Sequence, residues 1–118
     1  MSDYPSVTLR VALGPETLIG PGKADLLAGV AETGSIAAAS RRMGMSYKRA
    51  WYLIDTLNGC FREPLVLASK GGSAGGGAAL TDTGRAVLDL YRRLQRNAAT
   101  AVAADLHELA TLAAPAPP

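Results

Sequence analysis

Four polar side chains between residues 48 and 55 are the ones in this sequence best suited to binding chemistry. At 100° per residue, Lys48, Tyr52 and Asp55 fall on one side of a helix, with Arg49 at its edge. Ammonium, guanidinium and phenol groups donate hydrogen bonds to phosphate oxygens and to base edges. The cluster therefore predicts a nucleic-acid-binding face, and the alternative is an amphipathic helix with an ordinary solvated side.

The element that positions this cluster is a helix predicted over residues 47–58. Ala50, Leu53, Ile54 and Leu57 recur at the i, i+3, i+4 and i+7 positions, which predicts a buried stripe opposite the polar side. Ser46 directly precedes the helix, and its hydroxyl is a suitable N-cap.

A shorter helix comes before it, and a tight turn joins the two. Ser35 is a suitable N-cap for a helix from Ile36 to Met43, and Gly44 supplies the left-handed residue at its end. This succession is typical of a helix-turn-helix, whose second helix presents its first residues to base edges in the major groove of double-stranded DNA.

The helix-turn-helix assigns contact roles to individual side chains. Lys48, Arg49 and Tyr52 are the predicted base contacts, with Asp55 as a further candidate. For Tyr47, packing between the helices is the alternative to contacting DNA. The side chains predicted to reach the DNA backbone are Ser35, Arg41, Arg42, Ser46, Tyr47 and Lys70.

Charge is concentrated where this interpretation needs it. The 118 residues carry a formal charge of only +2, with 12 Lys and Arg against 10 Asp and Glu. Residues 35–70 nevertheless hold a net charge of +4, residues 1–34 hold −2, and the remainder is neutral. A positive field on the helix-turn-helix favours binding to a polyanion.

The sequence favours neither an enzyme nor a metal or cofactor site. Cys60 and His107 are each the only residue of their type and lack metal-ligand spacing. No lysine follows the glycines of residues 71–77 as a phosphate-binding loop requires, and no catalytic triad spacing occurs. Without a signal peptide pattern or an apolar run of about 20 residues, we expect a cytoplasmic protein with no membrane contact.

The flanking segments predict an α+β winged helix-turn-helix over residues 1–80. Apolar residues alternate from Val7 to Leu13, which predicts a strand that forms a hairpin with Thr17–Ile19. A first helix follows from about Pro21 to Glu32.

Beyond the helix-turn-helix, short apolar segments at residues 65–68 and 79–80 flank a glycine-rich loop and predict a β-wing. The wing tip either approaches DNA phosphates or contacts nothing.

A long final helix is predicted over residues 81–112, with Thr81 as its N-cap. Its apolar spacing of three and four residues continues beyond a domain of this size and predicts dimerisation. The alternatives are a helix that folds back or frays after Gln95, and the tail of residues 113–118 is predicted to be disordered. The predicted dimerisation residues are Val87, Leu90, Tyr91, Leu94, Ala98, Val102, Leu106 and Leu109.

Residues 9–94 resemble the N-terminal DNA-binding domain of ModE-type molybdate-responsive regulators. The resemblance rests on the Ser-Tyr-Lys-x-Ala-Trp motif at residues 46–51, on Gly34-Ser35-Ile36 before it, and on the glycine-rich wing. A broader similarity to LysR-type DNA-binding domains includes residues 61–66. The resemblance implies DNA binding and a link to molybdate or oxyanion metabolism. Together with the predicted dimerisation helix, we expect a transcription regulator that binds as a homodimer to an inverted-repeat site.

Molybdate sensing itself does not follow from the resemblance. Longer members of that family bind molybdate in a C-terminal β-rich domain, and no such segment lies within these 118 residues. We therefore expect either a stand-alone regulator or a separate effector-sensing protein as partner. The alternative function is a winged helix that serves as a protein-interaction module.

Overall fold

The computed structural model describes residues 4–69 and 77–115 and shows an α+β winged helix, as predicted. Within this part of the chain, no helix is both long and apolar enough to cross a membrane. The elements in chain order are β1 (Val11–Ala12), β2 (Leu18–Ile19), α1 (Pro21–Thr33), α2 (Ile36–Met43), α3 (Tyr47–Cys60), β3 (Val66–Ser69), β4 (Gly77–Leu80), α4 (Asp82–Ala101) and α5 (Ala103–Leu112).

Helices α1 to α3 enclose the core. Leu26, Leu27 and Val30 of α1 are fully buried, as is Ile54 of α3. Helices α1 and α2 cross closely at Gly29, where an added Cβ would lie 3.0 Å from the Cβ of Ala39. The small residues at this crossing let the helix-turn-helix rest directly on α1.

The N-terminal hairpin is shorter than the predicted Val7–Leu13 strand. Only Val11–Ala12 is a strand, and Val11 pairs with Ile19 in antiparallel register. Its partner β2 ends where α1 begins at Pro21, so it offers only two residues for pairing. The preceding residues instead run beside α4, where the Leu9 carbonyl accepts a hydrogen bond from Tyr91 Oη at 2.6 Å.

The wing strands β3 and β4 pair antiparallel, with Val66 opposite Leu80 and Ser69 opposite Gly77. Strand β4 is also tied to the turn between α1 and α2, because the Ala78 amide donates to the Gly34 carbonyl at 2.9 Å. The predicted wing tip, including Lys70, lies outside the described residues.

The long C-terminal helix is present, but a break divides the predicted 81–112 segment in two. Thr81 caps α4, since its Oγ1 accepts the Gly84 amide at 2.9 Å. At Val102, φ of −102° and ψ of 5° interrupt the helix, and α5 follows. Beyond Tyr91 no side chain of α4 or α5 is fully buried, so packing does not hold the segment straight. The β-branched Val102 is also a weaker helix former.

Candidate nucleic-acid interface

The two helices of the helix-turn-helix are capped as the sequence predicts. Ser35 Oγ accepts the Ala38 amide at 3.1 Å, and Ser46 Oγ accepts the Arg49 amide at 3.0 Å. Gly44 ends α2 with φ of +69°, a conformation that only glycine adopts without strain. Each capping hydroxyl keeps its own proton, so both serines can still donate a hydrogen bond to a phosphate oxygen.

Helix α3 turns its apolar stripe inwards and its polar side outwards. Ala50, Ile54 and Leu57 are at most 1% exposed, and Leu53 is half-buried. On the opposite side, the four side chains predicted to contact bases are all exposed: Lys48, Arg49, Tyr52 and Asp55. Because the buried stripe fixes the rotation of α3, this polar side is held towards solvent.

Two of these exposed residues contact each other. The Arg49 guanidinium carbon lies over the Tyr52 ring, 5.4 Å from its centroid. Such a cation–π contact contributes about 0.5–1 kcal/mol at an exposed site. The contact partly orders Arg49, and its guanidinium N–H groups donate to no other described residue, so they can still bind a base or phosphate.

Tyr47 and Trp51 form an edge-to-face aromatic pair beside this cluster. Their ring centroids are 6.3 Å apart, and the ring planes are 82° apart. Trp51 is half-buried against the core, whereas Tyr47 is 54% exposed. The phenol of Tyr47 is therefore supported by packing and still faces solvent.

The two arginines at the end of α2 differ in their surroundings. Arg42 forms an ion pair with Glu32 of α1, and both side chains are about half exposed. The Arg41 side chain is exposed and makes no hydrogen bond or ion pair with any described residue. A phosphate would compete with Glu32 for Arg42 but would find Arg41 unpaired.

Asn58 joins α3 to the wing, a role that reasoning from the sequence missed. Its Oδ1 accepts the amides of Leu65 at 2.8 Å and Val66 at 3.1 Å, and its Nδ2 donates to the Val66 carbonyl at 3.1 Å. An amide side chain near a helix end, followed by a proline-containing apolar segment, was the available signal. Asn58 thereby fixes where the wing starts relative to α3.

The predicted dimerisation residues separate into three groups by burial. Tyr91 is 2% exposed and belongs to the core of its own protomer, so it offers no surface to a partner. Leu90 and Leu94 are about half exposed, and Leu109 is 64% exposed. The remaining four are half-buried: Val87, Ala98, Val102 and Leu106.

Comparison with known proteins agrees with this geometry. The family model for bacterial regulatory helix-turn-helix proteins of the lysR family matches residues 23–85, which is more than half of the chain. The chain belongs to this family. The match covers α1, the helix-turn-helix, the wing and the start of α4, the elements that build the exposed α3 face.

Within this lysR-type family, the chain is similar to several molybdenum-related proteins. It is 41% identical over 81 residues to the molybdenum-pterin-binding protein MopB of Rhodobacter capsulatus, covering 69% of this chain and 30% of MopB. It is 42% identical over 79 residues to the molybdenum transport protein ModE of Azotobacter vinelandii, covering 67% and 29%.

The DNA-binding transcriptional dual regulator ModE of Escherichia coli is 35% identical over 85 residues, covering 72% of this chain and 32% of that protein. The chain thus spans about a third of the length of the curated relatives it matches. The similarity concerns the helix-turn-helix part and supports a ModE-like N-terminal domain.

Proposed function

We propose that this chain is a DNA-binding transcription regulator whose α3 enters the major groove. The observation that carries the proposal is the exposed side of α3, where Lys48, Arg49 and Tyr52 are held outwards because the opposite side packs into the core. A capped turn, a basic segment and a wing surround this side, as recognition of phosphates and bases requires. Such a protein acts in the cytoplasm of a bacterium.

We further propose that the protein binds DNA as a homodimer on an inverted repeat. Leu90 and Leu94 lie one turn apart on α4, and both are about half exposed. Val87 and Ala98 extend this apolar side. Burial of these side chains against a second copy would remove them from water. The two α3 helices would then reach successive major grooves about 34–36 Å apart.

The names of the relatives connect the proposed regulation with molybdenum. One relative is described as a molybdenum transport protein, and another as a DNA-binding transcriptional dual regulator. We propose that the target genes serve molybdenum or oxyanion metabolism. We also propose a separate effector-sensing protein as a partner, which would supply the response of this regulator to its effector.

The test is fluorescence anisotropy with duplexes from upstream of the protein's own gene, titrated with salt. A regulator that neutralises several phosphates loses affinity steeply as salt rises, and it prefers its operator to a scrambled duplex. A shallow salt dependence without sequence preference would contradict the proposal. That outcome would favour a winged helix that binds another protein through its apolar surface.

A further inference from the structure

A groove of about 580 Å³ lies between the N-terminal arm, α4 and α5, and none of the described residues of the helix-turn-helix or the wing lines it. We define it by the described residues that form its walls. They are Pro5, Ser6 and Val7 of the arm, Arg92, Gln95, Arg96 and Ala99 of α4, and Ala103, Leu106 and His107 of α5.

The charged residues that line this groove are both arginines. Arg92 and Arg96 are one helical turn apart on α4, and His107 of α5 lines the same groove. None of the three side chains makes a hydrogen bond or ion pair within the described part of the chain. No described Asp or Glu lines the groove either. Two like charges at i and i+4 repel each other, so an anion between them would stabilise both.

The remaining lining is largely apolar. Val7 and Leu106 are half-buried, and Ala99 and Ala103 lie beside them. A bare inorganic anion would leave this surface uncovered. An anion attached to an aromatic or aliphatic body would cover it while its charged end met the guanidiniums. The volume lies within the range of roughly 300–1,000 Å³ usual for small-molecule sites.

The walls of the groove are anchored independently of any ligand. Tyr91 is buried on α4 and donates to the Leu9 carbonyl at 2.6 Å, two residues from Val7 of the arm. The dihedral break at Val102 sets the direction of α5, which contributes the opposite wall. At 100° per residue, Arg92 and Arg96 lie nearly opposite Leu90 and Leu94, so a ligand here leaves the apolar side of α4 uncovered.

We propose that this groove binds a small organic anion, a carboxylate or phosphate monoester carried on an apolar body. Arg92 and Arg96 hold the anionic group, His107 donates a further hydrogen bond, and the surface around Val7 and Leu106 takes the apolar body. The ligand contacts the arm, α4 and α5 together, and the site stands independently of the DNA-binding proposal.

The test is an amide chemical-shift titration of the 118-residue chain with 2-naphthoate and, separately, 2-naphthyl phosphate. We expect saturable shifts at residues 5–7 and 92–107 with a sub-millimolar Kd for at least one probe, and the tighter probe identifies the preferred headgroup. Neutral 2-naphthamide should bind at least tenfold more weakly. Arg92→Gln and Arg96→Gln should each weaken binding at least fivefold.

Arg93→Gln is the matched control, because Arg93 is an exposed arginine of the same helix that does not line the groove. Unaltered affinity in this variant supports the site, whereas an equal loss would show general charge attraction and overturn it. Equal binding of 2-naphthamide would show an apolar crevice only. If no amide shifts appear and Arg92→Gln binds DNA more weakly, Arg92 and Arg96 contact DNA rather than a small anion, and the proposal is overturned.

Discussion

At the scale of single residues, the environment of a side chain decides whether a predicted contact group is available. Arg41 and Arg42 are adjacent in the sequence, yet among the described residues Arg42 has an ion-pair partner, Glu32 of α1, and Arg41 has none. Arg49 makes a cation–π contact with Tyr52, and its N–H groups donate to no other described residue. Such differences cannot be predicted from residue type, because they depend on which side chain a neighbouring helix brings close.

The contrast between the two arginines makes the first prediction. Arg41→Ala should make the slope of log DNA affinity against log salt concentration shallower by about one unit. Each phosphate contact contributes roughly 0.9 to that slope. Arg42→Ala should have a smaller effect, because Glu32 competes with the phosphate. The measurement is affinity against salt concentration for both variants. A larger change for Arg42→Ala would contradict the inference that Arg41 is freer than Arg42 to bind a phosphate.

A second prediction concerns Tyr91. Burial, and secondarily the charge of Asp25, raise the pKa of the Tyr91 hydroxyl above its ordinary value of 10.0. The folded protein therefore holds this proton more tightly than the unfolded chain, so this stability is present below pH 10 and is lost as pH rises above it. Urea unfolding between pH 9 and 11 should show a steeper loss for the wild type than for Tyr91→Phe.

Tyr52→Phe is the control for that comparison, because the Tyr52 side chain is 61% exposed and its hydroxyl makes no hydrogen bond with another described residue. Its pH dependence should follow the wild type. Tyr91→Phe also leaves the Leu9 carbonyl without this donor, so it should cost about 1–3 kcal/mol at neutral pH. Parallel pH profiles of stability for the wild type and Tyr91→Phe would contradict a raised pKa of Tyr91 in the folded protein.

At the scale of elements, the segment at the start of β3 is held from two sides. Asn58 bonds the backbone of Leu65 and Val66, and the Thr81 amide donates to the Leu65 carbonyl at 3.0 Å. Gly84 faces the same carbonyl so closely that an added Cβ would lie 2.1 Å from its oxygen. Helix α3, the wing and α4 therefore meet at one short segment.

This close approach gives the third prediction. Gly84→Ala should destabilise the fold by about 2–3 kcal/mol or more, because the Cβ forces α4 away from Leu65. Gly22→Ala is the matched control, since it lies in a helix with nothing within 4 Å of the added Cβ. It should stabilise the protein by about 0.5–1 kcal/mol. Denaturant unfolding of both variants checks this, and an unchanged Gly84→Ala protein would contradict the packing.

The elements that the sequence predicted well are those specified by local chemistry. Ser35, Gly44, Ser46 and Thr81 are caps whose role depends on neighbouring residues, so they were recognisable without tertiary information. The break at Val102 was not predictable, because the apolar spacing continues across it and only the absence of packing allows it. Apolar spacing puts Tyr91 among the predicted dimerisation residues, because periodicity alone does not show which apolar residues pack into the core of the same chain.

At the scale of the whole molecule, the apolar side of α4 remains uncovered in the single protomer. The fourth prediction is that the protein is a dimer at micromolar concentration and that Leu90→Glu or Leu94→Glu makes it monomeric, because a charge there would be buried without a partner. Leu112→Glu, at the 79% exposed end of α5, should leave the dimer intact. Sedimentation equilibrium of the wild type and the three variants measures this, and a monomeric wild type would contradict the proposed assembly.

The most direct test of the account is the effect of Lys48→Ala and Arg49→Ala on operator affinity. Anisotropy with an operator duplex and a scrambled duplex should show a loss of about 1–3 kcal/mol for each variant on the operator. The loss on the scrambled duplex should be smaller, and Arg93→Ala should bind both duplexes like the wild type. Wild-type affinity in both α3 variants would contradict the assignment of α3 as the recognition helix.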